Sequence, residues 1–201
     1  MANGAPLDFM RALRAEHPPF LSAVIADARV AASRRGERSE FGSTLDAAFQ
    51  ALRLAWQSDA FGALVCYRAK ARLQYLGVPL LPRVAHRLAM ALAQVCIGDP
   101  VLVRAGVYLP HGQVVIDGLT EVGSGTIIRP FVTIGLKEGN LVGPTIGRDV
   151  AIGTGAKVFG PVTLGTGCRV GANAVVVHDV PDGVTVVGIP AAPLPGPHPP
   201  A

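Results

Sequence analysis

The sequence predicts a mainly β chain with a helical N-terminal part, its second half a parallel β-helix built from six-residue units. Three observations carry this. Half of the 201 residues are hydrophobic and only 16% are charged, so the chain can bury a substantial core. Aromatics are just 5%, against 24 Gly and 17 Pro, so that core has to be made of Val, Ile, Leu and Ala. The period of the apolar residues changes from helical to six near residue 97.

Residues 1–96 form the helical region. Leu45, Ala48, Phe49, Leu52 and Trp56 recur at i, i+3, i+4, i+7 and i+11, the stripe of an amphipathic helix, and Trp56 on that stripe is expected in the core. A second helix is expected from Ser58 to Tyr75, with Ser58 or Asp59 as its cap. Gly77, Pro79 and Pro82 break it, and a third helix is expected from Arg83 to Val95. The charged segment 32–42 reads as a loop.

Residues 97–192 carry the six-residue period. Stepping by six gives Ile116, Val122, Ile128, Ile134, Asn140, Ile146, Ile152, Val158, Leu164, Val170 and Val176, ten of eleven aliphatic. Four residues after these stand small or β-branched residues, such as Thr126, Val132, Ala156, Cys168 and Ala174. A six-residue unit fits one short strand and a sharp corner. Three units close a triangular coil, whose inward aliphatic residues stack on those of the next coil. Two places break the phase. Asn140 takes an inward position between Lys137 and Pro144, which predicts an outward loop. Val101 and Val107 are out of phase with Ile116, so residues 108–113, with His111 between Pro110 and Gly112, leave the regular coil. The Pro-rich tail 193–201 is expected to be disordered.

Charge and cysteine usage exclude several classes. The net charge of +4 comes without a Lys-rich run, which argues against nucleic acid. Cys66, Cys96 and Cys168 are too few and too far apart for a disulfide framework or a metal site, which points to a reducing cytoplasm and no metal. Asp8, Arg11 and Arg14 interrupt any secretory leader, and no stretch is apolar enough to span a membrane.

The hexapeptide pattern, the LPHGQVVIDG stretch, VTIG at 132–135, GTGAKV at 153–158 and the VGANAVVVHDVP…VGIPA ending together resemble the bacterial serine O-acetyltransferase family. This is a left-handed β-helix, hexapeptide-repeat acyltransferase family, and the likeness covers residues 97–192. It implies a homotrimer with active sites between neighbouring β-helices, acetyl-CoA as donor, and serine as the hydroxyl acceptor in cysteine biosynthesis. A sugar or secondary-metabolite hydroxyl is the alternative acceptor, and a non-catalytic trimeric β-helix the alternative of a different class. His111 matches the family's general base, with Pro110 where the family often has Asp; a structural turn histidine is the other reading. Imidazole is the side chain suited to take a hydroxyl proton near neutral pH. Asp99 or Asp117 is expected to orient it, Asp99 by likeness to a family segment and Asp117 by its place after Ile116. For CoA the resemblance implies Gly155, Ala156, Lys157, Gly171, Ala172 and Pro190, with the Gly135 N–H as oxyanion donor. The family's second site histidine is replaced by Gly143 and its neighbouring arginine is lost; Lys137, Asn140 and Arg129 are candidate substitutes. The C-terminal isoleucine through which some members dock onto cysteine synthase is also absent, which argues against that docking. His17, His86, His178 and His198 are expected on the surface or in the tail.

Overall fold

The computed structural model describes residues 5–194. Five helices come first: α1 (Ala5–Ala15), α2 (Phe20–Arg34), α3 (Thr44–Gln57), α4 (Asp59–Tyr75) and α5 (Leu81–Ala93). Ser43 caps α3, its hydroxyl accepting from Asp46 N at 3.1 Å, and Ser58 caps α4 by accepting from Phe61 N at 3.3 Å. Ser58 also ends α3, so a single residue sets the α3–α4 corner. The third helix stops at Ala93, short of the expected Val95. Gln94 takes a left-handed backbone conformation and Val95 opens the first strand. The strand region therefore starts two residues before the expected boundary.

Strands follow in short pieces: β1 (Val95–Ile97), β2 (Leu102–Val103), β3 (Val114–Ile116), β4 (Leu119–Val122) and β5 (Ile127–Ile128). Next come β6 (Thr133–Gly135), β7 (Val142–Ile146), β8 (Ala151–Ile152), β9 (Lys157–Phe159) and β10 (Thr163–Leu164). The last are β11 (Arg169–Val170), β12 (Val175–Val176), β13 (Thr185–Val187) and β14 (Ala192–Pro193). They stack as three parallel sheets, β1-β3-β6-β9-β12, β2-β4-β7-β10 and β5-β8-β11-β13, with β14 added antiparallel to β13. These are the three walls of a triangular coil. The expected inward column is buried throughout: Ile116, Val122, Ile128, Ile134, Ile146, Ile152, Val158, Leu164, Val170 and Val176 are each at most 3% exposed.

Register locates both phase breaks. Regular coils pair residues eighteen apart, as in Val115↔Thr133 and Ile146↔Leu164. Pairs that span residues 108–114 are nineteen apart, as in Ile97↔Ile116 and Tyr108↔Ile127, so that loop holds one extra residue. Pairs that span residues 137–142 are twenty-four apart, as in Ile134↔Val158. The extra six residues leave the coil as a loop, and because they equal one whole unit the phase is restored.

The helices close the open end of the coil. Tyr67 Oη donates to Val101 O at 2.9 Å and accepts from Val103 N at 3.2 Å. The buried Lys70 donates to Ile97 O at 2.6 Å. Two expectations fail. The α3 stripe is not core: Leu45, Phe49, Leu52 and Trp56 are 64–90% exposed, and Ala47, Ala51 and Leu54 on the other side are buried. The reason is helix spacing. α2 and α4 meet α3 through Ala28, Ala31, Ala32, Leu54 and Phe61, a close approach that small side chains permit and a tryptophan does not. The tail also does not begin at 193, since Pro193 pairs with Val186 and Leu194 N donates to Thr185 O at 2.8 Å. Residues 195–201 and His198 lie outside the described residues.

Candidate active site

His111 stands on the loop that holds the extra residue, and the helical cap fixes that loop. Gln113 N donates to Ala93 O at 2.7 Å, tying the loop to the C-terminus of α5. Gly112 lies so close that a Cβ there would sit 1.8 Å from the same carbonyl oxygen. The exposed His111 therefore lines a cleft of about 470 Å³. Its other walls are the end of α5 (Ala91 to Gln94), the α3–α4 corner (Gln57, Ser58, Asp59) and Arg35 just past α2.

Neither expected carboxylate is joined to that imidazole. Asp99 Oδ1 accepts from Lys70 Nζ at 3.0 Å and lines a different cleft, with His86, Arg83 and Arg87. Burial is the largest single influence on the Asp99 carboxyl and works to raise it, but the hydrogen bond and charge of Lys70, with Gln74 and His86, together outweigh it and hold the group below the usual carboxylate range. Asp117 Oδ1 accepts from the next backbone amide, Gly118 N, at 2.8 Å. The carboxylate that shares the cleft with His111 is Asp59, in the first turn of α4. Its sequence signal was that of a helix cap. Chain position does not reveal that the α3–α4 corner folds over the first coil.

The residues expected to line CoA gather on one edge of the coil. The corner positions Gln113, Phe131, Gly155 and Asn173 all have positive φ and stack coil on coil, linked by Phe131 N→Gln113 O, Gly155 N→Pro130 O and Asn173 N→Thr154 O. At the usual strand spacing these three steps span about 14 Å. This edge runs from the His111 loop to Gly155 and Ala172, with Pro190 in the following layer, where Val175 N bonds Gly188 O at 3.0 Å. Gly155 has a left-handed φ of 75° that favours glycine, and a Cβ there would have to push the Asn173 side chain aside. At Gly171 a Cβ would meet Val187 Cγ1 at 2.7 Å. Lys157 Nζ donates to Phe131 O at 2.6 Å, which lays the ammonium along this edge. Ala156 is a correction: its side chain is wholly buried inside the coil, and its N–H and C=O bond Gly153 O and Thr133 N. An aliphatic-column neighbour that small points inward, not into a groove. Gly135 sits at the other end of β6 from Phe131, away from this edge.

Gly143 is closed to any side chain, since a Cβ would lie 2.1 Å from Thr120 Oγ1. Asn140 turns back to its own loop, its Oδ1 accepting from Val142 N at 2.9 Å. Cys168 is wholly buried, and desolvation with the nearby Asp182 carboxylate pushes its thiol up to about 11, which leaves it no nucleophilic thiolate. His178 is exposed, and His17 is half-buried, lining a small cleft and packing on Tyr67 with ring centres 6.2 Å apart. Among the described residues no group of three His, Cys, Asp or Glu could hold a metal, and no helix is long and apolar enough to cross a membrane.

No protein-family model matches the chain. A serine acetyltransferase of Helicobacter pylori is 38% identical over 130 residues, which cover 63% of this chain and 75% of that protein. The chain belongs to the serine acetyltransferase family. The family member from Synechococcus elongatus is 38% identical over 133 residues, 65% of this chain, and the match spans 54% of that longer protein. Among solved serine acetyltransferases, that of Neisseria gonorrhoeae in complex with serine superposes with a TM-score of 0.73 at 28% identity, covering 87% of this chain and 68% of the other. The Brucella abortus serine acetyltransferase in complex with coenzyme A gives 0.73 at 25% identity, covering 93% and 71%. A helical part followed by a left-handed parallel β-helix is the fold this chain shares with these serine acetyltransferases.

Proposed function

We propose that this chain transfers the acetyl group of acetyl-CoA to the hydroxyl of L-serine, forming O-acetylserine for cysteine biosynthesis. The observation that carries the reading is the placement of His111, in a polar cleft at the head of the coil edge that also bears Gly155 and Ala172. Family membership and the serine and coenzyme A complexes of similar proteins support it.

In this mechanism acetyl-CoA lies along the edge, Gly155, Gly171 and Ala172 allow close approach, and Lys157 and Pro190 flank the arm. His111 takes the hydroxyl proton as the oxygen attacks the thioester carbonyl. The tetrahedral intermediate collapses, the carbon–sulfur bond breaks, and the imidazolium returns its proton to the CoA thiolate. Acid–base assistance of this kind contributes on the order of 10²–10⁴ in rate, and holding both substrates together supplies much of the rest.

The reading includes a homotrimer working in the cytoplasm. Apolar side chains on the outer wall of the coil support the trimer: Val115, Phe131 and Val177 are 40–55% exposed in the single chain. The three free thiols support the reducing compartment.

The test is CoA thiol release from acetyl-CoA with L-serine, homoserine and a panel of sugars, alongside sedimentation to fix the mass. Turnover that prefers L-serine on a particle of three chains is expected. Preference for a sugar, or no thiol release with any acceptor and no CoA binding by calorimetry, overturns the reading.

A further inference from the structure

The family's second histidine has no counterpart here, and the packing of Gly143 against Thr120 leaves no room for one. The groups that recognise the acceptor have to come from elsewhere. The cleft around His111 offers two charged side chains of opposite sign, both from the helical region: Arg35 and Asp59. They are not paired with each other. Arg35 Nε donates to Glu37 Oε1 at 2.6 Å, which orients the guanidinium and leaves both Nη groups without a protein partner among the described residues. Glu37 is itself fixed from the other side by Arg53. Asp59 is exposed in the first turn of α4 and makes no ion pair among the described residues.

A cleft that holds a base, an unpaired carboxylate and a guanidinium oriented by Glu37 with both Nη groups open matches a ligand carrying an ammonium, a carboxylate and a hydroxyl. We infer that Arg35 binds the acceptor's carboxylate and Asp59 its ammonium, so that an amino-acid zwitterion is held with its hydroxyl toward His111. This deepens the serine reading and rests on it. The two-pronged geometry of a guanidinium suits a carboxylate, and neither partner loses an existing ion pair in the exchange for Asp59 or more than the shared Glu37 contact for Arg35. The assignment also relocates acceptor selection. It places specificity in the helical cap rather than in Lys137, Asn140 or Arg129 of the coil.

The test uses the full chain and the variants Arg35→Gln, Arg35→Lys and Asp59→Asn. The readouts are kcat and KM for L-serine, KM for acetyl-CoA, and binding of L-alanine, which has both charges and no hydroxyl, followed by NMR. Arg35→Gln and Asp59→Asn are expected to raise the serine KM by about ten- to a hundredfold, with kcat held within about threefold. The L-alanine Kd moves by the same factor, the acetyl-CoA KM stays, and Arg35→Lys, which keeps the charge but not the two-pronged geometry, recovers only part of the loss. If the wild-type chain turns over no serine but binds L-alanine in a way that needs Arg35 and Asp59, the serine reading fails and the clamp stands. If serine is turned over and either variant keeps the wild-type KM, or loses kcat alone, the clamp is wrong and the serine reading survives. Absence of both serine turnover and L-alanine binding in the wild type overturns the two together.

Discussion

Gln113 donates its backbone amide to the carbonyl of Ala93 at 2.7 Å, and this bond fastens the His111 loop to the end of α5. The loop's extra residue would otherwise be free to move. Between them stands Gly112, whose missing side chain makes the approach possible. Gly112→Ala must push the loop away from α5. Because misplacement by an ångström can cost about a hundredfold, kcat/KM is expected to fall by at least about tenfold. Steady-state kinetics together with thermal melting checks this; unchanged kinetics would show that the Ala93 contact does not hold the imidazole.

The helical cap is locked to the coil by a buried ion pair. Arg68 and Asp27 are 2% and 1% exposed and meet through two hydrogen bonds of 2.9 and 3.1 Å. Asp27 Oδ1 also accepts from Gly106 N and Val107 N, and Arg68 donates to the Val103 and Arg104 carbonyls. Removing one partner leaves a buried charge and several unsatisfied groups, so Arg68→Met or Asp27→Ala is expected to cost about 3–5 kcal/mol in urea unfolding. A loss below 1 kcal/mol would mean that water reaches the pair.

His17 makes stability depend on pH. Burial, followed by the positive charges of Arg68, Lys70 and Arg104, lowers its pKa from 6.5 to about 4. Its Nδ1 is buried without a hydrogen-bond partner. The unfolded chain thus binds a proton at this residue below pH 6.5 that the folded chain refuses until pH 4. Stability contributed by the neutral ring is full above 6.5 and lost as pH falls toward 4. His17→Gln is expected to flatten the melting-temperature profile in that window, and a profile with the same slope in the variant would exclude His17 as its source.

Gly143 fills a slot where Thr120 Oγ1 leaves no room for a Cβ. Gly143→His therefore does not add a second site histidine. It is expected to destabilise the chain by about 1–3 kcal/mol, as overpacking does, with no gain in turnover. A stable variant with raised activity would show that the β4–β7 contact yields.

How much of this was legible in the sequence follows from which forces are local. The coil was legible because each inward aliphatic residue meets its own equivalent one coil away, so packing repeats with the chain. Ile116 to Val176 could be placed by counting. The two loops were legible as breaks in that count. The helical region has no such rule. The α3 stripe satisfied the helical period, yet Leu45 and Trp56 face outward, because alanine-lined neighbours decide which face is inside. Asp99 was assigned to His111 by likeness of its segment to a family segment, but the buried Lys70 ammonium claims it. Arg35 and Asp59 gave no sign, since the cleft they share with His111 is made by tertiary folding of segments up to 76 residues away from it.

In the proposed reaction one imidazole, held at the head of the coil edge, removes the acceptor's proton. Comparison of His111→Ala with the wild-type chain, by thiol release with L-serine and by calorimetric titration with CoA, tests it most directly. A kcat lowered at least about a hundredfold with the CoA Kd unchanged is expected. Turnover within a few-fold of wild type in that variant would contradict it.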